Sequence, residues 1–244
     1  MSSSRTCSLS IMNLQAFIAS LQSLPDQDQA HVLIGYFKEE FESSLYKTCK
    51  YLLGYDAMTM HTHADMIWAL EAKQNKKLVT MPRGTFKSSI GVVGYSIWRL
   101  MKDPNLRIMI DSEKYENSKN FIREIKGKVA EPMFQAFYGD WSKTDNWAEG
   151  SITIAPRKIV KKESSITASG VEAGKTGQHF ELVIHDDLNT HENSQNQEQR
   201  KKIIQHYQMN TSILDPGGEL VIIGTRYAMN DVIGFVLENE IWSE

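Results

Sequence analysis

A lysine and a hydroxyl, Lys87-Ser88, follow a glycine in the stretch "KKLVTMPRGTFKSSIGV" (Lys76 to Val92), and two adjacent carboxylates, Asp186-Asp187, close the apolar run of "HFELVIHDDLNT". These residue types can do phosphoryl chemistry. Backbone N–H groups at a helix N-terminus receive phosphate oxygens, a lysine neutralises the β- and γ-phosphates, and a hydroxyl takes a magnesium ion. Gly84, Lys87 and Ser88 could supply those parts. An acid at a strand tip beside such a loop can hold a metal-bound water, and the residue after it can orient an attacking water. Asp186 and Asp187 suit those two tasks. A third strand tip, Gly224-Thr225-Arg226 in "GELVIIGTRYAMNDVIG", offers a hydroxyl and a guanidinium that could sense a γ-phosphate. In a parallel sheet ligands sit at the C-terminal strand ends, so Thr225 and Arg226 are expected to face the same crevice as Lys87 and Asp186.

The first two segments have plainer alternatives. The loop fails the pattern G-x-x-x-x-G-K-[ST] twice, because Met81 and Phe86 stand where it has glycine, and a helix N-terminus can carry basic and hydroxyl residues without binding anything. An Asp-Asp pair at a strand end is often a turn or a helix cap. The order of the three segments in one alternating chain favours the phosphate reading over these alternatives.

The elements that must position the residues read as follows. Amphipathic segments Ile11 to Leu24 and Asp28 to about Tyr51 predict a helical N-terminal region over 1–60. A helical pattern, about His63 to Gln74, opens a core over 61–244 and runs into strand Leu78 to Met81. Helix Lys87 to Met101, strand Arg107 to Ile110 and helix Glu113 to Ala130 follow. Then come strand-rich patches at Ile152 to Ile154 and Ser165 to Ser169, strand Leu182 to His185, helix Asn193 to Asn210 and strand Glu219 to Gly224. Apolar strands separated by helices of this length predict an α/β fold with a mainly parallel sheet sandwiched by helices.

The 244 residues, 41% of them hydrophobic, suffice for one large α/β domain. Apolar runs such as "ELVII" end far short of the roughly 20 residues that span a bilayer, so no membrane segment is predicted. The head "MSSSRTCSLSIM" lacks an apolar h-region and predicts no secretory signal, which implies cytosol. Cys7 and Cys49 have no C-x-x-C or histidine spacing and read as reduced thiols. A net charge of −3 excludes nucleic-acid binding by bulk electrostatics and leaves two local basic runs, Arg157 to Lys162 and Arg200 to Lys202. Runs this short also occur on solvated faces.

With these residues in place, the chain resembles the N-terminal packaging ATPase domain of bacteriophage terminase large subunits. The resemblance rests on "PRGTFKSS" (Pro82 to Ser89), similar to that family's Walker A with a single glycine before the lysine, on "TGQHFELVIHDDL" (Thr176 to Leu188), and on "GTRYAMNDVIG", similar to its coupling motif. It covers roughly Met60 to Phe235. It implies an ASCE-type P-loop NTPase that binds ATP and Mg²⁺ and drives double-stranded DNA into a procapsid. The implied nucleotide contacts are Arg83, Gly84, Thr85, Phe86, Lys87, Ser88, Ser89, Thr225 and Arg226. Arg83 would sense the γ-phosphate, Lys87 would contact the β/γ-phosphates, Ser88 and Asp186 would hold the metal, and Asp187 would be the general base. The family more often has Glu in that last place, and aspartate is one methylene shorter, so the division of roles between the two acids stays open.

His61 or His63 stands where the family places adenine contacts, with a surface histidine as the alternative. A transition-state arginine from a neighbouring subunit is implied, with Arg123, Arg157 and Arg200 as candidates. The implied partners are a portal protein, a small terminase subunit and further copies in a ring, with a monomer in isolation, all in the host cell cytoplasm. The family's nuclease domain has no counterpart in the sequence, so the expectation is an ATPase domain without nuclease activity. The competing readings are a helicase-like P-loop ATPase and an assembly module that binds phosphate without hydrolysing it.

Overall fold

The apolar runs form a six-stranded sheet in the order β1-β6-β5-β2-β4-β3. The computed structural model of the chain describes residues 25–171 and 177–239. The expected helix Ile11 to Leu24, Cys7 and Thr176 lie outside the described residues. The chain divides into two units, 1–43 and 44–244. In the first, helix α1 (Asp26–Ser43) carries Asp26 and Asp28 in its first turn, where carboxylates complement the helix dipole.

The second unit begins with α2 (Leu45–Lys47), which continues as a π-helical turn, Thr48–Leu52. One helix was expected from Asp28 to Tyr51. Ser44 instead adopts an extended conformation and caps a new helix, its hydroxyl accepting from the Lys47 N–H. Leu45, Cys49, Leu52, Leu53 and Met58 are buried in this unit, so 44–60 fold with the sheet although the sequence groups them with the N-terminal helices. Burial raises the pKa of the free Cys49 thiol, which keeps it protonated.

Helix α3 (Met60–Glu71) leads into β1 (Lys76–Thr80). Helix α4 follows the loop as a π-helical stretch, Ser89–Gly94, that becomes α-helical over Tyr95–Lys102. Next come β2 (Ile108–Ser112), α5 (Tyr115–Ala130) and a helix that sequence periodicity missed, α6 (Pro132–Tyr138), with proline in its first turn. The short β3 (Ser151–Ile152), β4 (Ile166–Gly170) and β5 (Phe180–Asp186) follow. The expected helix Asn193 to Asn210 is two, α7 (His191–Gln195) and α8 (Gln197–Thr211), because Asn196 turns extended and its side chain caps α8. Strand β6 (Leu214–Gly224) and α9 (Val232–Asn239) complete the described chain.

Every strand pair is parallel except β3 with β4. Parallel neighbours need long crossovers, and those crossovers place helices on both faces. On one face Ile203 and Tyr207 of α8 and Val232 and Val236 of α9 pack with Met109, Val183, Leu220 and Ile222. Helix α4 lies on the other, where a Cβ on Gly91 would stand 2.4 Å from Ile223 Cδ1.

Gly170 ends β4 under the first turn of α5. A Cβ there would lie 2.6 Å from the Tyr115 nitrogen and 3.0 Å from its Cα, both backbone atoms that cannot swing aside. Gly170→Ala should therefore cost about 1–3 kcal/mol in denaturant unfolding. An unchanged midpoint would mean that α5 can slide on the sheet.

Candidate active site

The register sets Thr80 of β1 beside Gly224 of β6, and Ile223 of β6 beside Asp186 of β5. The loop after β1, the loop after β6 and the acid pair therefore begin side by side at one end of the sheet.

The loop from Met81 to Phe86 turns through two left-handed residues, Gly84 at φ 79° and Phe86 at φ 55°. Phe86 thus takes the backbone conformation that the glycine of the usual phosphate-loop pattern takes freely. The left-handed region costs an L-residue about 1–2 kcal/mol, and such strain persists where the surroundings enforce it. The Thr85 hydroxyl donates to the Pro82 carbonyl at 2.7 Å, which ties the turn. The Phe86 ring meets the His63 ring edge-on at 6.4 Å between centroids. His63 is buried, with Nδ1 2.8 Å from the Thr59 carbonyl oxygen, whereas His61 is exposed. The surface-histidine alternative thus describes only His61, because the first turn of α3 folds the His63 ring under the loop.

Lys87 is only 6% exposed. Its Nζ donates to Asp187 Oδ1 and Oδ2 at 3.1 and 3.3 Å and to Thr225 Oγ at 3.0 Å. The Ser88 hydroxyl donates to Asp186 Oδ1 at 2.7 Å. Each acid therefore has its own partner from the loop. Asp187 has φ 42°, which turns the chain just past β5, and its N–H donates to the Ile223 carbonyl at 2.9 Å.

Burial pushes the Asp186 carboxyl up to about 7, and the charge of Asp187 adds to the rise against the Ser88 hydrogen bond and the Lys87 charge. A divalent cation beside it would reverse that cost. Magnesium is usually bound by one or two carboxylates together with substrate phosphates, and Ser88 with Asp186 fits such a half-site. Among the described residues no group of three or more His, Cys, Asp or Glu forms a cage for a metal by itself.

The raised pKa has a definite sign for stability. The folded protein keeps a proton that the unfolded chain, with a carboxyl near 3.8, gives up. This contribution is complete below the unfolded value and is lost as pH rises through the folded one. The melting temperature of metal-free protein should fall more steeply between about pH 5 and about pH 8 than that of Asp186→Asn. Parallel thermal-melt profiles would show that Asp186 ionises like an exposed acid.

The remaining candidates spread out. Arg226 does not reach the crevice: its Nη2 donates to the Met229 carbonyl at 2.9 Å and its Nε to that of Ala228 at 3.3 Å. The turn closed by Asp231, whose carboxylate accepts from the N–H groups of Tyr227, Ala228 and Gly234, folds the guanidinium back onto its own loop. Arg83 donates to the Tyr227 hydroxyl and so joins the β1 and β6 loops. Ser89 opens the π-helical stretch of α4. Tyr227 and Asp231 lie inside the quoted segment "GTRYAMNDVIG", but the sequence assigns neither of them a role.

A buried cluster was equally unmarked. Asp111 Oδ2 lies 3.0 Å from His185 Nδ1, 2.7 Å from His206 Nε2 and 2.8 Å from Asn210 Nδ2. It ties α8 to the strand that ends in the acid pair. No local signal exists for it, since its members lie on β2, β5 and α8.

Among the described residues no helix is long and apolar enough to cross a membrane. In comparison with known proteins, the chain matches no family model and no curated protein, so the residues themselves carry the reading of the site.

Proposed function

We propose that this chain is an ATP-hydrolysing motor domain of the terminase large-subunit type, a P-loop ATPase that moves double-stranded DNA. One observation carries the reading: Lys87 and Ser88 meet the two acids of a single strand tip separately, while β6, lying between the loop strand and the acid strand, brings Thr225 to the same lysine. The left-handed backbone of Phe86 supports it, since glycine is the residue that the usual phosphate-loop pattern has at that place.

On nucleotide binding Lys87 exchanges Asp187 for phosphate oxygens, which frees that carboxylate to accept the proton of the attacking water. Ser88 and Asp186 would hold Mg²⁺, which would supply positive charge against the phosphoryl oxygens. Thr225, already bonded to Lys87, reports the exchange to the loop after β6. Of the three arginines proposed to act on a neighbouring copy, Arg123 is exposed on α5. Arg157 donates to the Glu163 carbonyl six residues on, and Arg200 of α8 donates to the Ser194 carbonyl of α7. A ring of copies at a portal, with a small-subunit partner, is the proposed working assembly.

The test is ATP turnover per subunit, with and without duplex DNA, across protein concentration. Slow turnover that rises with concentration and with DNA is expected, because an arginine supplied by a neighbour is worth on the order of 10³-fold or more. Nucleotide binding without turnover would favour the non-hydrolysing module, and strand separation would favour the helicase-like reading.

A further inference from the structure

Ser112 ends β2, is 1% exposed, and its hydroxyl has no hydrogen-bond partner among the described residues. A buried hydroxyl without a partner costs free energy that alanine in the same place would not. The register gives it a neighbour. In the parallel pair β2/β5, Ser112 stands opposite Asp186, as Ile110 stands opposite Ile184. Residues directly opposite on adjacent strands share a face of the sheet. The alternation sends Asp111 and His185 to the other face, where His206 of α8 meets Asp111. Ser112 is therefore on the α4 side of the sheet, with Asp186 and Ser88.

Among the described residues the Asp186 carboxylate accepts one side-chain hydrogen bond, from Ser88 to Oδ1. An acid that must hold a cation or its water in a fixed direction needs donors that set the carboxylate plane, and such supporting groups tune metal sites strongly. Rotating one side-chain torsion between staggered wells is enough to redirect a serine hydroxyl. We propose that Ser112 is a positioning residue of the nucleotide site: its hydroxyl donates to the Asp186 carboxylate in the metal-bound state and fixes the acid that Ser88 holds at its other oxygen. This role rests on the reading of the site as one for Mg²⁺-nucleotide.

The experiment measures the affinity of a fluorescent ADP with and without Mg²⁺, together with thermal stability, for the wild-type chain and Ser112→Ala. The expected result is that the variant melts no lower than the wild type and binds metal-free ADP equally well. Its enhancement of affinity by Mg²⁺ should be smaller by about tenfold, the worth of one hydrogen bond to a charged group. An enhancement equal to that of the wild type would overturn the role of Ser112 and leave the nucleotide reading standing. A joint fall in melting temperature and metal-free affinity would also overturn it, by showing that the hydroxyl serves packing. Failure of the wild-type chain to bind ADP under either condition would remove the nucleotide reading, and the role of Ser112 with it.

Discussion

Replacing Lys87 by alanine should abolish nucleotide binding while the fold stands. The lysine head donates to Asp187 and Thr225, so its removal takes away the charge at the point where three strand tips meet. The stability cost stays small. The Asp187 side chain left behind is 40% exposed, so water can replace its lost partner and no charge is stranded in the core. Bound phosphate has no such replacement in a site with a buried lysine. Loss of two charge-assisted hydrogen bonds should weaken ATP binding by about a hundredfold or more. Titration calorimetry on the folded variant reads this directly, and wild-type affinity there would end the phosphate-loop assignment.

Asp187→Asn should keep Mg²⁺-ATP binding and lower hydrolysis by about 10²–10⁴-fold, because an amide does not accept a proton from the attacking water. The structure adds a second expectation. Asp187 holds the Lys87 head, so neutralising it releases the lysine, and ATP affinity should stay level or rise. Asp186→Asn should mainly weaken the magnesium dependence, since Ser88 bonds to Asp186. Single-turnover assays separate the two, and the reverse pattern would exchange the roles of the acids.

The strands, their order along the chain and the three candidate tips were legible because each is a local pattern of apolar runs, glycine and charge. Lys87, Ser88, Asp186, Asp187 and Thr225 could be singled out for that reason, and they do converge. Arg226 belonged to the same local pattern and does not converge. Its direction depends on the turn that Asp231 closes, and a motif of three residues carries no trace of that turn. The helix breaks at Ser44 and Asn196 were missed for a similar reason. Apolar periodicity continues across them, and the capping side chains that stop the helices are single polar residues.

By itself the sequence determined the α/β class, the sequence positions of the strands and the residue types available for phosphoryl chemistry, because side-chain periodicity and composition fix which segments can be buried strands. Tertiary structure alone decided which acid meets which loop residue, the left-handed backbone of Phe86, the burial of His63 under the loop, and the placing of Ser112 beside Asp186. Those are matters of strand order and register. The hydrogen-bonded ladder between distant segments sets them, and the lateral order β1-β6-β5-β2-β4 that results is not the order in which the chain supplies the strands.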